Sequence, residues 1–485
     1  MAISYEEQSE QPSNWPTPLE AAGFTRFSRS QEITDYCFAL SSAFAEAKVE
    51  TWGYSVKGKP ITALHIRRCE PSCEPLRVVL IGSQHGASEA AGGEALLVIA
   101  RQLLENDLGD LLDALEFYIL PNANPDGRDA DSSRNANDIN LNRDYILLSQ
   151  PESRAIDRAL ARIKPHVVLD AHESAALKRK SLGLEGYMTE FQAQLDFANN
   201  PGISADVQNF CEHSFLNPLL ESLNQSGLHA QRYIKEIGST TQPLTHGGVT
   251  ARIFRNKAGL GGALSFLLET RMDPKDGRYD SFRNIRVRRG KQHICLRLFL
   301  RQVMALAAAI KEIHETHQTS RRDIDCILHA DYILHPHEPR SQLPLRIIET
   351  QTITHVEFVN HRHLRICQPI PRPVAYIVTE KTELFAHFLS RHSIVFERLG
   401  ERAEIPVVGL KVLSVGGAEE ADIEVESCAT TLRVNSNALM VPLDQPSGLL
   451  IPQLLEPQST GSLFAEPRIR GTICVGKFLS AYRYY

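Results

Sequence analysis

The stretch that decides the fold is LRVVLIGSQHGASEAAGGEALLVIARQLL, residues 76–104. Residues 76–81 are apolar and rich in β-branched side chains, which indicates a buried strand, and residues 95–104 carry apolar side chains at helical spacing. His85 and Glu89 lie between the two, where a strand of an open α/β sheet ends and such sheets commonly build their sites. Imidazole and carboxylate together suit zinc, but such a pair in a polar loop is more often solvated than metal-bound. The pair therefore needs partners from elsewhere in the chain.

Length, composition and charge limit the class of protein. A chain of 485 residues exceeds what one hydrophobic core usually organises, so we expect two domains. Hydrophobic content of 42% and charged content of 23% are ordinary for a globular protein. The net charge of -6 gives no reason to expect a nucleic-acid partner, and the one basic cluster is interpreted as a solvated face. That cluster consists of Arg283, Arg286, Arg288, Arg289 and Lys291.

Cysteine usage and hydropathy bear on the compartment. The nine cysteines form an odd set without a regular framework, which fits reduced thiols better than a disulfide-bonded secreted domain. The N-terminal residues have neither a basic nor an apolar signal region, and no uncharged apolar run approaches the roughly 20 residues that span a bilayer. We therefore expect a cytoplasmic protein without a membrane partner.

The first half of the chain alternates strands and helices. A polar, proline-containing tail over residues 1–20 precedes a helical pattern at 31–47 and a hairpin pattern at 49–66. A second buried strand is predicted at residues 115–120. It is followed by the loop PNANPDGRDADSSRNAND, residues 121–138, whose length and polarity are typical of a functional loop.

Two further strand ends carry ionisable groups. A helix over residues 152–163 is ended by Pro165, and an apolar strand then runs into Asp170 and His172, which face the same side because they are two residues apart. Helices are expected around residues 207–227, within a large insertion. A fourth apolar run, residues 263–268, ends at Glu269, and a long helical pattern at 291–317 closes the domain.

The sequence pattern changes beyond residue 320. Short strand-like runs at 345–355, 375–379 and 407–415 are separated by proline and glycine. The sequence therefore predicts a tail over 1–20, an α/β domain over 21–318 and a strand-rich accessory domain over 319–485.

The polar residues at the strand ends suggest a chemistry. Two histidines and one carboxylate would fill three positions of a tetrahedral zinc and leave the fourth for water, which is typical of hydrolytic rather than structural sites. A second carboxylate that does not bind the metal could take the proton from that water.

The order of these motifs resembles one known family. His-Gly followed by Glu89, then NPDG, Arg134, Asn142-Arg143, Asp-x-His and Leu-Leu-Glu-Thr-Arg is similar to the zinc carboxypeptidases, peptidase family M14, and to bacterial members with an extra C-terminal domain. Residues 53–61 and the stretch that starts at Val441 add to the resemblance. It implies a mixed, largely parallel sheet flanked by helices, with a smaller strand-rich C-terminal domain.

The resemblance also implies a role for each residue. His85, Glu89 and His172 would bind one Zn²⁺ per chain, and Glu269 would be the general base. Arg134 would polarise the scissile carbonyl and hold the oxyanion. Asn142 and Arg143 would bind a substrate carboxylate, for which guanidinium offers a bidentate fork. The family's catalytic tyrosine has no assigned position, and Tyr233 is left out of the predicted site.

Two positions depart from the family pattern. The family spaces its first pair as His-x-x-Glu, whereas one more residue separates His85 from Glu89; we interpret this as an inserted loop residue, with Glu94 a poor substitute. The family also has an aspartate, which supports the first histidine, where this chain has Asn140. An uncharged amide would raise the basicity of His85 less, so weaker zinc binding is expected.

Three functions follow from these residues. The first is a carboxypeptidase-like hydrolase that cleaves an amide bond next to a free carboxylate by metal-activated water, acting on a peptide. The second is a deacylase of small N-acyl amino acids. The third is a catalytically silent binding module that has lost the metal.

Overall fold

The structure is a computed structural model of the chain. It describes residues 13–68, 74–175, 182–272, 284–320, 325–400, 404–416, 423–434 and 437–485.

Strands are present along the whole chain. They are β1 Ala47–Tyr54, β2 Pro60–Ile66, β3 Leu76–Gly82, β4 Leu115–Leu120, β5 Val167–Ala175, β6 Tyr187–Thr189, β7 Ala193–Phe197, β8 Ala230–Arg232, β9 Leu264–Met272, β10 Cys326–Ile333, β11 Arg340–Ile347, β12 Ile353–Val359, β13 His363–Ile370, β14 Ala375–Val378, β15 Glu397–Arg398, β16 Ile405–Val415, β17 Ile423–Leu432, β18 Leu439–Pro442 and β19 Ala481–Tyr484.

Helices lie mainly in the first two thirds. They are α1 Pro18–Ala21, α2 Ser30–Ala43, α3 Ala91–Leu104, α4 Leu111–Ala114, α5 Pro125–Asp129, α6 Pro151–Ile163, α7 Ala205–Asn209, α8 Asn217–Gln225, α9 Phe254–Leu260, α10 Ile285–Ala305, α11 Ala307–Ser320, α12 Thr382–Arg391, α13 Leu450–Leu455 and α14 Pro467–Arg470. Short 3₁₀ turns at Gly86–Glu89 and Leu141–Arg143 and a π-helical segment at Phe210–Leu216 complete the elements used below.

An eight-stranded mixed sheet forms the centre of the fold, in the order β1-β2-β4-β3-β5-β9-β7-β8. The four central strands β4, β3, β5 and β9 are mutually parallel, and the hairpin β1-β2 and strand β7 add to them antiparallel. Strands β3 and β4 are almost entirely buried, as expected when helices cover both faces of a parallel sheet. The predicted α/β class and mixed sheet are confirmed.

Close packing fixes the start of α3 over the ends of the central strands. A side chain at Gly93 would lie 2.2 Å from the Pro121 carbonyl oxygen, and one at Gly92 would lie 2.9 Å from Ala171 Cβ. Glycine at both positions lets the helix approach the sheet, which is the reason for the Gly-Gly pair in the deciding stretch. The turn between β3 and α3 is therefore held directly beside β5.

Several sequence-based element predictions need correction. Residues 345–355 form parts of two antiparallel strands, β11 and β12, because a turn that contains the polar residues 349–352 separates them. The helical pattern at 291–317 is broken into α10 and α11, which meet at an angle of 71°. Residues 13–20 lie within the predicted tail but pack on the domain, since Leu19 is buried and the Trp15 carbonyl accepts a hydrogen bond from Tyr36.

The predicted solvated basic face is wrong for three of its residues. Arg288, Arg289 and Lys291 are buried on α10, and Arg288 forms a bidentate ion pair with the buried Glu173 at 2.7 and 2.8 Å. Arg286 is exposed as predicted, and Arg283 lies outside the described residues. A helix packed against the sheet can bury Arg288 because a carboxylate from the sheet pairs with it, and Lys291 donates a hydrogen bond to the Arg271 carbonyl at 3.1 Å.

Three smaller sheets lie beyond or beside the central one. They have the orders β10-β13, β12-β11-β6 and β15-β18-β14-β19-β16-β17, which confirms a strand-rich C-terminal region. Strand β6 comes from the first half of the chain, so one of these sheets joins the two parts.

Two general properties complete the description. The seven cysteines in the described ranges are all free thiols, and Cys69 and Cys73 lie outside those ranges. No single described helix is long and apolar enough to cross a membrane, although the bent pair α10 and α11 passes the same test when both helices are counted together.

Candidate active site

Three side chains converge where β3 and β5 meet the start of α3. His85, Glu89 and His172 each offer a ligand atom, and these atoms all lie within 4.8 Å of one another. One Glu89 oxygen is 2.7 Å from His85 Nδ1 and the other is 2.7 Å from His172 Nδ1. Three donor atoms at this separation could hold one metal ion. The structure thus brings together the three residues predicted as metal ligands.

A tight turn explains how Glu89 reaches His85 although one more residue separates them than in the family pattern. Residues Gly86–Glu89 form a single 3₁₀ turn, which returns the Glu89 carboxylate to His85. Gly86 has a φ of +51°, and a side chain there would lie 2.4 Å from the Ser132 carbonyl oxygen. Only glycine fits this turn without displacing the neighbouring loop. The geometry agrees with an inserted loop residue.

A buried polar chain orients His172 from behind. Asp170 Oδ2 is 2.5 Å from His172 Nε2 and accepts a second hydrogen bond from Gln84 Nε2 at 2.7 Å. Gln84 in turn accepts one from the Tyr145 hydroxyl at 2.9 Å. A carboxylate on the outer nitrogen of a metal-binding histidine fixes the ring and raises its basicity. The spacing of Asp170 and His172 was the sequence signal for this role, but the role itself was not predicted.

His85 lacks the support expected from Asn140. The Asn140 side chain accepts a hydrogen bond from the Asn142 backbone at 2.9 Å, and His85 Nε2 is buried without a hydrogen-bond partner in the described structure. The expectation that the Asn140 amide contacts this ring is therefore wrong, because the amide is used to cap the Leu141–Arg143 turn.

His85, Glu89 and His172 are called the metal group below because they could hold a metal ion, and Glu269 lies beside them on the next strand. It is the register partner of His172 in the parallel pair β5-β9, so both side chains point to the same face of the sheet. Glu269 is partly exposed and lines the same cavity as His85 and Glu89. This position suits a carboxylate that acts on a group held by the three ligands.

The predicted substrate-binding pair is split between the cavity and the metal group. Arg143 is exposed, lines the cavity and donates a hydrogen bond to the Asn142 carbonyl at 2.6 Å. The Asn142 side-chain oxygen accepts from the Phe254 backbone at 2.8 Å, and its nitrogen lies 3.4 Å from His172 Nε2. Arg143 therefore lies at the cavity with an exposed side chain, whereas Asn142 is held beside His172.

Arg134 is not brought to the cavity. Its side chain is about half exposed, donates to the Asp138 carbonyl at 2.7 Å and lies 3.7 Å from the Asp138 carboxylate. An exposed pair of this kind contributes at most about 1 kcal/mol, so its rearrangement costs little. Arg134 could take the predicted oxyanion role only if its side chain moved away from Asp138.

One cavity of about 300 Å³ adjoins the metal group. It is lined by His85, Glu89, Arg143, Glu269 and Tyr233, among other residues. Burial, followed by the Glu269 charge, raises the pKa of the Tyr233 hydroxyl well above its usual value. Tyr233 therefore remains a neutral hydrogen-bond donor facing the same space, although the sequence alone did not assign it.

The electrostatics around Glu89 and His172 favour positive charge. Burial raises the pKa of Glu89, but His85 and His172 outweigh it and hold that pKa below its usual range. Burial lowers the pKa of His172, but Asp170 and Glu89 outweigh it and raise that pKa well above its usual value. Two imidazoles and one carboxylate in a field that favours positive charge fit a divalent ion with nitrogen and oxygen ligands.

Comparisons with known proteins point the same way. The zinc carboxypeptidase family model matches residues 33–173, a range that holds His85, Glu89, Arg134, Asn142, Arg143 and His172 and ends before Glu269. The chain is 25% identical over 414 residues to Carboxypeptidase 2 of Trichophyton tonsurans, covering 81% of this chain and 74% of that protein. It is 31% identical over 139 residues to Carboxypeptidase D of Drosophila melanogaster, covering 24% of this chain and 10% of that protein.

Solved carboxypeptidase structures are similar to the chain over part of its length. Carboxypeptidase A from Helicoverpa armigera has a TM-score of 0.45 and 17% identity, covering 59% of this chain and 75% of that one. The family match over residues 33–173 and the carboxypeptidase relatives show that the chain is similar to the zinc carboxypeptidases, peptidase family M14, as the order of its motifs predicted.

Proposed function

We propose that this protein is a zinc-dependent carboxypeptidase that hydrolyses the last peptide bond of a substrate with a free C-terminal carboxylate. One observation carries the proposal: His85, Glu89, Glu269 and Arg143 line the same cavity of about 300 Å³. A possible metal group, a carboxylate beside it and a guanidinium that can bind an anion are the three parts that this reaction needs.

Zinc is the proposed metal, held by His85, Glu89 and His172. When bound there, it would supply Lewis-acid chemistry that polarises the scissile carbonyl and the attacking water. The chain's own contribution is to orient the ligands: Asp170 holds His172, and the turn at Gly86 places Glu89.

Glu269 is the proposed proton carrier. It would accept a proton from the attacking water and return it to the leaving amine, because its carboxylate lies beside His172 on the same face of the sheet. Tyr233 would donate its hydroxyl hydrogen to the carbonyl oxygen as negative charge develops, since the raised pKa keeps this group protonated.

Two arginines are proposed to bind the charged parts of the substrate. Arg143 would form a bidentate contact with the C-terminal carboxylate, with Asn142 beside it. Arg134 would rotate from Asp138 to stabilise the oxyanion, at a cost of up to about 1 kcal/mol for the exposed pair that it leaves.

The experiment is digestion of a mixed pool of free-acid and amidated peptides by the zinc-loaded full chain, read by mass spectrometry. We expect loss of single C-terminal residues from the free acids and none from the amides. Equal processing of both, or internal cleavage, would refute the proposal. Activity restricted to N-acyl amino acids, with peptides untouched, would instead identify a deacylase.

A further inference from the structure

One side of the cavity belongs to a sheet that the C-terminal region completes. We define the pocket wall as residues 187–191, which comprise β6 and the two residues after it. Thr189 and Phe191 of this wall line the cavity together with Glu269. Strand β6 pairs with β11, with Thr189 opposite Leu345 and Met188 opposite Arg346. The wall therefore depends on a strand that lies about 150 residues further along the chain.

A bidentate ion pair fastens this junction. Arg346 Nε and Nη2 donate to the two carboxylate oxygens of Glu190 at 2.7 and 2.6 Å. The Glu190 side chain is 7% exposed and that of Arg346 is 25% exposed, so the pair is partly shielded from water. The wall is thus held through a residue that lies between two cavity-lining side chains.

The same junction reaches the strand of the proposed base. Arg271 on β9 lies two residues after Glu269, donates to the Thr189 carbonyl at 2.7 Å and lies 3.8 Å from the Glu190 carboxylate. Behind the wall, Phe191 shares an apolar cluster with Leu343 and Leu345 of β11. Glu190 therefore links the wall to β9 on one side and to β11 on the other.

We propose that Glu190 and Arg346 are positioning residues that fix the pocket wall, so that the strand-rich C-terminal region takes part in substrate binding. The kinetic test of this proposal rests on the proposed function, because it measures peptide cleavage. Loss of the pair weakens the attachment of the wall, and it removes no contact made by His85, Glu89, His172 or Glu269. Substrate binding should weaken while the chemical step is largely kept.

The test compares Arg346→Met with wild type, using the full zinc-loaded chain and the peptide that wild type cleaves best. We expect KM to rise about tenfold with kcat within about threefold, and faster amide hydrogen exchange at residues 187–191. Arg346→Lys should recover only part of the loss, because lysine lacks the bidentate fork. Glu190→Gln should match Arg346→Met, since each removes the same pair.

The matched control is Arg340→Met on the same strand, whose pair with Glu357 at 3.8 Å is exposed on both sides. A KM for Arg346→Met equal to that of the control would overturn the proposal, as would a fall in kcat without a change in KM. If wild type cleaves no peptide, the proposed function fails by itself. Amide hydrogen exchange at residues 187–191 then decides this proposal. Faster exchange in Arg346→Met and Glu190→Gln supports it, and unchanged exchange in both variants overturns it.

Discussion

Replacing Asp170 with asparagine removes one negative charge behind the metal group while it keeps the size of the side chain. Asp170 Oδ2 serves both His172 and Gln84, whereas Oδ1 is buried without a hydrogen-bond partner in the described structure. The amide oxygen of asparagine can take the place of Oδ2 and its nitrogen the place of Oδ1. The substitution therefore isolates the effect of the charge.

The expected loss follows from the two kinds of hydrogen bond. A bond to a charged group contributes about 1.5–3 kcal/mol and a neutral one about 0.5–1.5 kcal/mol, a difference of about 1–2 kcal/mol. This corresponds to about a five- to thirtyfold loss of zinc affinity, which overlaps the 10–100-fold effect typical of residues that support metal-bound histidines.

The assay is the zinc dissociation constant near neutral pH, measured by competition with a chromogenic chelator. Asn140→Asp is the control: it adds a charge in the same region, but an aspartate there can still cap the Asn142 backbone, so we expect a change of less than about threefold. Unchanged affinity in Asp170→Asn would refute the orienting role of Asp170. A tenfold gain in Asn140→Asp would show that this position supports His85 after all.

Four further predictions test other parts of the protein. Glu269→Gln should retain zinc by metal analysis yet lower kcat at least about a hundredfold, because the amide cannot accept a proton; full turnover would exclude the base role. Arg143→Ala should lower kcat/KM about ten- to a hundredfold for free acids and leave C-terminal amides unchanged. Arg134→Ala should lower kcat at least about tenfold with little change in KM if the side chain acts only on the oxyanion. Burial, followed by the Lys257 charge, lowers the pKa of His392 from 6.5 to about 4. Between these pH values the unfolded chain binds more protons than the folded chain, so the free energy of unfolding should fall as the pH drops from 6.5 towards 4. In urea unfolding, His392→Gln should show a smaller fall than wild type, and an identical fall would contradict this.

The parts of the structure that the sequence predicted are those set by local signals. Residues 76–104 combine a buried strand, a glycine-containing turn and an apolar helix, and each signal acts within a few residues. The ends of parallel strands meet at one edge of a sheet, so the proximity of His85, His172 and Glu269 followed once the strands were identified. The resemblance to the zinc carboxypeptidases then assigned roles that proximity alone could not.

The parts that the sequence did not predict depend on distant partners. The Asn140 side chain caps its own turn and Arg134 pairs with Asp138, and the local sequence does not distinguish these contacts from contacts within the predicted site. The pairing of β6 with β11 joins segments with no shared local pattern, so the predicted boundary near residue 319 gave no hint that a strand from beyond it backs the cavity.

The carboxylates near the metal group fall into two sets, and this division explains which of them can bind a cation. Glu94 is buried against Arg128 and also accepts hydrogen bonds from Ser28, and Glu173 is held by Arg288. These carboxylates are already neutralised by buried guanidinium groups, and pulling either away would leave an unpaired buried charge. Glu89 instead contacts His85 and His172, whose ring nitrogens can share a metal with it. Arg128, and Arg288 from the cluster that was predicted on the surface, thus keep Glu94 and Glu173 out of the proposed zinc site.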